Sequence, residues 1–250
     1  MVSICLAGLR RRDDFTKTPI RVCSGTRGDF ILWHGYREGD SCYWDTAIGK
    51  GRPSWNVQDP SMISQYFHET LSMYCGGMDN LFRHHDYTKA ILESVRPYPM
   101  AKFWLHCDHL LVNGQKMSKS RGNVVYTDVL LKRGYRMADI RFFLVYGHYR
   151  EKLNYSEERM SSAAGTLMGL RRMVKRIQQS SRNTETAGRF GQMLRRAFAD
   201  QMDNDLHVRG AVDQLLSILN AILLNPLDPA EAGGIIRTLR EIDEVLQVIF

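Results

Sequence analysis

The sequence has no run of eighteen consecutive apolar residues, which excludes a membrane-spanning helix of ordinary length. It has no Cys-x-x-Cys pair. Its five cysteines (Cys5, Cys23, Cys42, Cys75, Cys107) are odd in number, so reduced thiols in a cytoplasm fit better than a disulfide framework. The first residues, MVSICLAGLRRRDD, place basic residues after a short apolar run, the reverse of a secretory leader. There is no internal repeat and no low-complexity segment, and with 44% apolar and 24% charged residues the collagen-like, fibrous and disordered classes are excluded. Acidic residues are outnumbered: 27 Asp and Glu against 34 Lys and Arg give a formal charge of +7, which favours an anionic partner, nucleic acid first. At 250 residues the chain has room for one large domain or two modest ones.

What is present changes character near residue 154. Before it, strand-length apolar runs stand between Gly, Pro and charged loops: Ile31–Trp33, Trp55–Val57, Leu71–Cys75, Phe103–Leu105 and Leu110–Val112. Apolar residues at 63, 66, 67 and 71 predict one intervening helix, and Tyr87–Val95 another. This alternation predicts an α/β region with parallel strand pairing. After Asn154 the period becomes helical. Stripes run through Met160–Ile177, Phe190–Phe198, Ala211–Leu223 and Ile235–Ile249, predicting four amphipathic helices in an antiparallel bundle. Asn154 or Ser156, followed by Glu157 and Glu158, supplies a helix start.

The sharpest segment is Gly114 to Asn123, which reads GQKMSKSRGN. Lys116 and Lys119 flank the hydroxyl of Ser118, Ser120 follows, and glycine stands on both sides. Glycine lets a loop bend close to a ligand, and two ammonium groups can screen a polyphosphate as charge moves onto the leaving group. Composition alone also describes a solvated basic loop. The string KMSKS followed by x-Gly-Asn resembles the signature loop of class I aminoacyl-tRNA synthetases.

Its surroundings resemble one such family, the cysteinyl-tRNA synthetases. Asp29-Phe-Ile-Leu-Trp33, Trp44-Asp45 and Gly49 to Trp55 are similar to the stretch entering the second half of that catalytic domain. Gly76 to His85 (GGMDNLFRHH) is similar to the family's Gly-Gly-x-Asp-Leu-x-Phe-Pro-His-His, and Phe103 to Ser120 to its approach to the signature loop. Arg141 to Arg150, then Leu153 to Glu158, is similar to the junction into its helical stem domain. The mycothiol-biosynthetic cysteine ligase is built on the same plan. The resemblance implies the C-terminal half of a class I Rossmann-like catalytic domain followed by an all-α helical bundle. The expected divisions are a remnant of a connective insertion (1–28), a partial nucleotide-binding domain (29–153) and the bundle (154–250).

The resemblance also implies roles. Lys116, Ser118, Lys119 and Ser120 hold the ATP phosphates, with magnesium, and the lysines are the catalytic pair. Gly77 and Asp79 lie against the adenosine ribose; the local pattern alone describes a strand-to-helix turn capped by Asp79. Trp55, Asp59 and His84 fall in the amino-acid pocket, although a core tryptophan and a hydrogen-bonded core histidine are ordinary readings of the first and last. The family holds zinc with two cysteines, a histidine and a glutamate. Here the second cysteine position is Asp59, the histidine is His84, the glutamate position is Thr88, and the first cysteine has no counterpart. The zinc site is therefore expected to be lost, since such a site needs three protein ligands. On the bundle, Arg171, Arg172, Lys175 and Arg176 form a basic run, either a solvated helix face or, by resemblance, a contact to tRNA phosphates.

None of the eight histidines forms the His-x-Gly-His of a class I synthetase. The expected function is therefore aminoacyl adenylation and tRNA aminoacylation with a partner chain supplying the missing half; a partner chain or a second copy is also expected to pair across an open sheet edge. The alternative is a non-catalytic paralogue that binds tRNA or protein.

Overall fold

The computed structural model describes residues 30–184 and 186–250, which fall into two units divided between His106 and Cys107. The expected remnant at 1–28 lies outside the described residues. The units do not follow the break in period at 153/154. The hairpin carrying the KMSKS loop pairs with the strand just before the bundle, which places both in the second unit.

In the first unit, β1 (Trp33–Gly35) and β2 (Gly51–Pro53) pair antiparallel, Trp33 facing Pro53 and Gly35 facing Gly51. Ser54 then holds the chain back on the segment before β1, its hydroxyl donating to the Ile31 carbonyl at 2.6 Å. From that extended residue α1 (Trp55–Tyr66) begins. Trp55–Val57, expected as a strand, is thus the first turn of a helix; an apolar triplet carries too little periodicity to distinguish the two. The helix ends at Phe67, and Leu71, expected on it, starts β3 (Leu71–Gly77). Beyond β3 a 3₁₀ turn (Met78–Asn80) and a π turn (Leu81–His85) lead into α2 (Asp86–Val95), then β4 (Ala101–Cys107), which pairs with β3. Leu92 and Met100 are fully buried here, and α1 packs on α2.

The second unit opens with a hairpin, β5 (Leu111–Val112) and β6 (Gln115–Lys116), joined by Asn113-Gly114. Both turn residues have positive φ, 49° and 80°, as a two-residue turn matching strand twist requires. β5 also pairs in parallel with β7 (Asn154–Tyr155), in the expected sense. Between them lie α3 (Thr127–Lys132) and α4 (Met137–Val145). Four helices follow close to the expected stripes: α5 (Glu157–Ser180), α6 (Gly188–Asp203), α7 (Val208–Ile222) and α8 (Pro229–Leu246). Ser156 caps α5, its hydroxyl accepting from the Arg159 N–H. The Glu157 carboxylate gathers Arg133, Tyr135 and Tyr155, fixing the start of α5 against the turn after α3. Met160, Leu167, Leu170, Leu194, Leu215, Leu219, Ile235 and Leu239 form a dry core between the helices.

Candidate functional site

The KMSKS loop is ordered by one side chain. Asn123 Oδ1 accepts the Ser118 N–H at 2.9 Å, and its Nδ2 donates to the Lys116 carbonyl at 3.1 Å. One amide thus closes the loop at both ends. Inside it Lys119–Arg121 makes a 3₁₀ turn, and Gly122 at φ 66° turns the chain out again. The Ser118 and Ser120 hydroxyls lie 3.3 Å apart, and Lys116 and Lys119 both reach solvent. The Lys116 ammonium donates to Nε2 of His109 at 2.9 Å. Two ammonium groups, two hydroxyls and a bent backbone make a surface suited to a polyanion. Sequence reading placed the lysines and serines here; Asn123 was visible in the string but without a role.

The first unit gathers a different set. The carboxylate of Asp79, in the exposed 3₁₀ turn, folds back over Gly77, where an added Cβ would meet Oδ1 at 2.6 Å. Trp55 is 60% exposed at the first turn of α1, so it is no core tryptophan. Asp59, one turn on, is half-buried, and its charge is felt by Tyr74 and His85. Nδ1 of His84 is buried without a hydrogen-bond partner among the described residues.

The sequence reading passed over a further group in this unit. His85 is buried, and its Nδ1 lies 2.8 Å from Nε2 of His106. Its ring occupies space that a side chain at Gly76 would fill: a Cβ there would come within 2.2 Å of His85 Cε1. Tyr74 meets the His85 ring edge-on at 4.8 Å, and Trp104 lies parallel to His106 at 6.4 Å. Burial, then the neighbouring His106, pushes the His85 pKa down, so this imidazole favours the neutral form. The Tyr74 phenol is pushed up by burial and by Asp59, and its hydroxyl bonds to Thr88, which is buried. The adjacent pair His84-His85 and the glycine at 76 were the available signals.

His84 and Asp59 by themselves fall short of the three protein ligands a zinc site needs. No group of three or more His, Cys, Asp or Glu side chains converges among the described residues. Thr88, which the resemblance puts at the glutamate position, has its hydroxyl engaged by Tyr74, and Asp59, which it puts at a cysteine position, is a hard oxygen donor rather than a soft thiolate.

On α5 the four basic residues separate. Arg171 turns inward, and its Nε donates to the carbonyls of Val248 and Ile249 at 2.9 and 3.1 Å. Arg172, Lys175 and Arg176 are exposed. Arg172 and Arg176, one turn apart, line a groove of about 270 Å³ with Met173, Asn220, Leu223 and Leu224.

The chain is similar in sequence to curated proteins and in fold to a solved structure. The cysteine--tRNA ligase of Chlamydia caviae is 34% identical over 231 residues, covering 88% of this chain and 48% of that protein. That of Brachyspira hyodysenteriae is 33% identical over 201 residues, covering 78% and 42%. The chain therefore spans about half the length of the curated relatives it matches. Among solved structures, the ternary complex of an Agrobacterium radiobacter LeuRS with tRNA and LeuAMS is similar in fold, with a TM-score of 0.57 at 16% identity over 83% of this chain and 32% of that one. Residues 14–165, more than half the chain, match the family described as tRNA synthetases class I (C) catalytic domain, and the chain belongs to that family.

Proposed function

We propose that this chain supplies the phosphate-binding part of an aminoacyl-adenylating site and a helical platform for tRNA, and that groups outside this sequence complete the site. The observation that carries this reading is the loop clamped by Asn123 with Lys116, Ser118, Lys119 and Ser120 around it. Family membership implies ATP use, with magnesium accompanying the nucleotide as substrate. Lys119 and Lys116 meet the phosphates, and their charge offsets the negative charge that builds on the leaving pyrophosphate. Gly77 and Asp79 offer a carboxylate and an open backbone suited to ribose hydroxyls, a role supported by the likeness to cysteine--tRNA ligases. In the amino-acid pocket Trp55, Asp59 and His84 face chemistry that zinc does not mediate. Selection there falls to hydrogen bonds and aromatic contact rather than to a metal–thiolate bond. Arg172, Lys175 and Arg176 meet tRNA phosphates as diffuse positive charge.

This sequence holds no His-x-Gly-His, the motif with which the resembled synthetases bind adenine, so adenylation calls for groups outside this sequence that carry it. The second reading is a non-catalytic module that keeps tRNA or protein binding. It is favoured by the residues Asp59 and Thr88, which are not those the resemblance expects at two of the ligand positions. Pyrophosphate exchange dependent on cysteine, measured on the pure chain and on the chain with proteins captured from its native cell, separates the two. Exchange only in the captured complex supports the completed-site reading. No exchange in either, with tRNA retained in the capture, supports the binding module.

A further inference from the structure

The register of the hairpin decides where the first lysine of the loop points. Leu111 faces Lys116 and Val112 faces Gln115, and the Met117 N–H continues the ladder to the Leu110 carbonyl at 3.0 Å. In an antiparallel pair, side chains two residues apart on one strand share a face. His109 therefore lies on the same face as Leu111 and Lys116, as a diagonal neighbour of Lys116. Long side chains reach one another across that diagonal. They do so here: Nζ of Lys116 and Nε2 of His109 are 2.9 Å apart.

The backbone beneath His109 is held from several directions. Its own N–H donates to the Asp108 carboxylate at 2.7 Å. The Asp108 N–H points to the Tyr149 carbonyl at 3.4 Å, and the Leu111 N–H donates to the Leu153 carbonyl at 2.7 Å. The imidazole thus stands on an anchored segment just before β5, whereas the lysine has four rotatable bonds and a compact charge on a flexible stem.

We infer that His109 is a positioning residue for the phosphate-binding loop: its imidazole holds the Lys116 ammonium on the face shared with Ser118 without cancelling its charge. An ammonium only donates, so Nε2 must accept, and the ring is neutral with its proton on Nδ1. A carboxylate at 109 would fix the same ammonium but neutralise it, and the loop would lose half of what makes it attract a polyanion. A neutral acceptor reduces the conformational freedom of the lysine and leaves its full charge for phosphate. This inference rests on the loop's reading as a phosphate site, and it assigns the orientation of Lys116 to a residue outside the KMSKS string.

Two measurements on the full chain test it. The first reads the bond itself. With ¹⁵N-labelled histidine, and His109 assigned by the loss of its signals in His109→Gln, the wild type should show the tautomer protonated on Nδ1 and bare on Nε2. Lys116→Met should convert it to a mixture of the two tautomers. An unchanged tautomer pattern in Lys116→Met overturns the inference. The second reads the consequence, with MgATP and inorganic tripolyphosphate as probes. His109→Ala should weaken both about three- to tenfold, the range expected when one hydrogen bond that orders a charged group is lost. His109→Gln, which keeps an acceptor, should recover most of that loss. On a Lys116→Met background His109→Ala should change nothing further; an equal loss there would show that His109 acts elsewhere, and overturns the assignment. Wild-type chain that binds neither probe overturns the phosphate-site reading itself, whereas tight binding that His109→Ala leaves intact overturns the positioning role alone.

Discussion

The Nδ1 of His85 and the Nε2 of His106 lie 2.8 Å apart in a pocket walled by Tyr74 and Trp104, with Gly76 leaving room for the buried ring. One nitrogen must donate and the other accept, so at most one proton fits between them and the pair is stable only while neutral overall or singly protonated.

A pH dependence follows from that geometry. Burial and then His106 lower the His85 pKa below its ordinary 6.5. The unfolded chain therefore binds a proton more readily than the folded one. The stabilising contribution is complete above pH 6.5 and is lost as pH falls from 6.5 through the lower folded value. Thermal midpoints measured between pH 8 and pH 5 should fall on acidification, and His85→Gln, which does not titrate, should flatten the part of the slope that lies below 6.5. An identical slope in the variant would contradict the neutral-pair reading.

The two neighbouring arginines of α5 should behave oppositely. Asp243 accepts the N–H groups of Val248, Ile249 and Phe250, while Arg171 and Arg141 hold carbonyls of the same tail segment. Val248 and Ile249 are buried under this clasp. Asp243→Ala should cost about 2 kcal/mol by urea denaturation, the scale of losing hydrogen bonds to a charged acceptor. Arg171→Ala should also destabilise. Arg172→Ala and Arg176→Ala should leave stability within about 0.5 kcal/mol. They should instead weaken tRNA binding in a salt-dependent way. Destabilisation by Arg172→Ala equal to that by Arg171→Ala would contradict the division.

Metal content gives a third test. The resemblance puts Thr88 and Asp59 at two of the family's ligand positions, and among the described residues no three His, Cys, Asp or Glu side chains come together. Protein purified without a metal-affinity tag should carry well under one equivalent of zinc by elemental analysis. A full equivalent that disappears in His84→Ala would contradict this ligand assignment.

Asn123 closes the loop by two hydrogen bonds, so Asn123→Ala should free Met117–Gly122 without unfolding the bundle. Amide exchange confined to that segment should speed up while the global thermal midpoint stays within a few degrees. Protection unchanged in the loop would show that the clamp is unnecessary.

The bundle was legible in the sequence because four stripes of period 3.6 each bury one face, and the helices fall within a few residues of them. The KMSKS residues were legible because a string carries chemistry regardless of its fold. The first turn of α1 was not, because Trp55–Val57 is three residues long and fits either period. The His85–His106 pair was also hidden. It joins residues 21 apart, one at the end of the π turn before α2 and one on β4, and single-sequence periodicity carries no information on which such segments meet. Arg171 shows the same limit: the basic residues of its run, Arg172, Lys175 and Arg176, are solvated, yet its guanidinium is spent on a tail 77 residues away.

The central claim is that the loop from Lys116 to Ser120 binds the phosphates of ATP. Titration calorimetry of MgATP against the wild type and against Lys116→Ala/Lys119→Ala tests it most directly. A lysine beside phosphate contributes on the order of 1.5–3 kcal/mol, so the double variant should bind at least tenfold more weakly, and the gap should narrow as salt is raised. Equal affinity in the two proteins at every salt concentration would contradict the account.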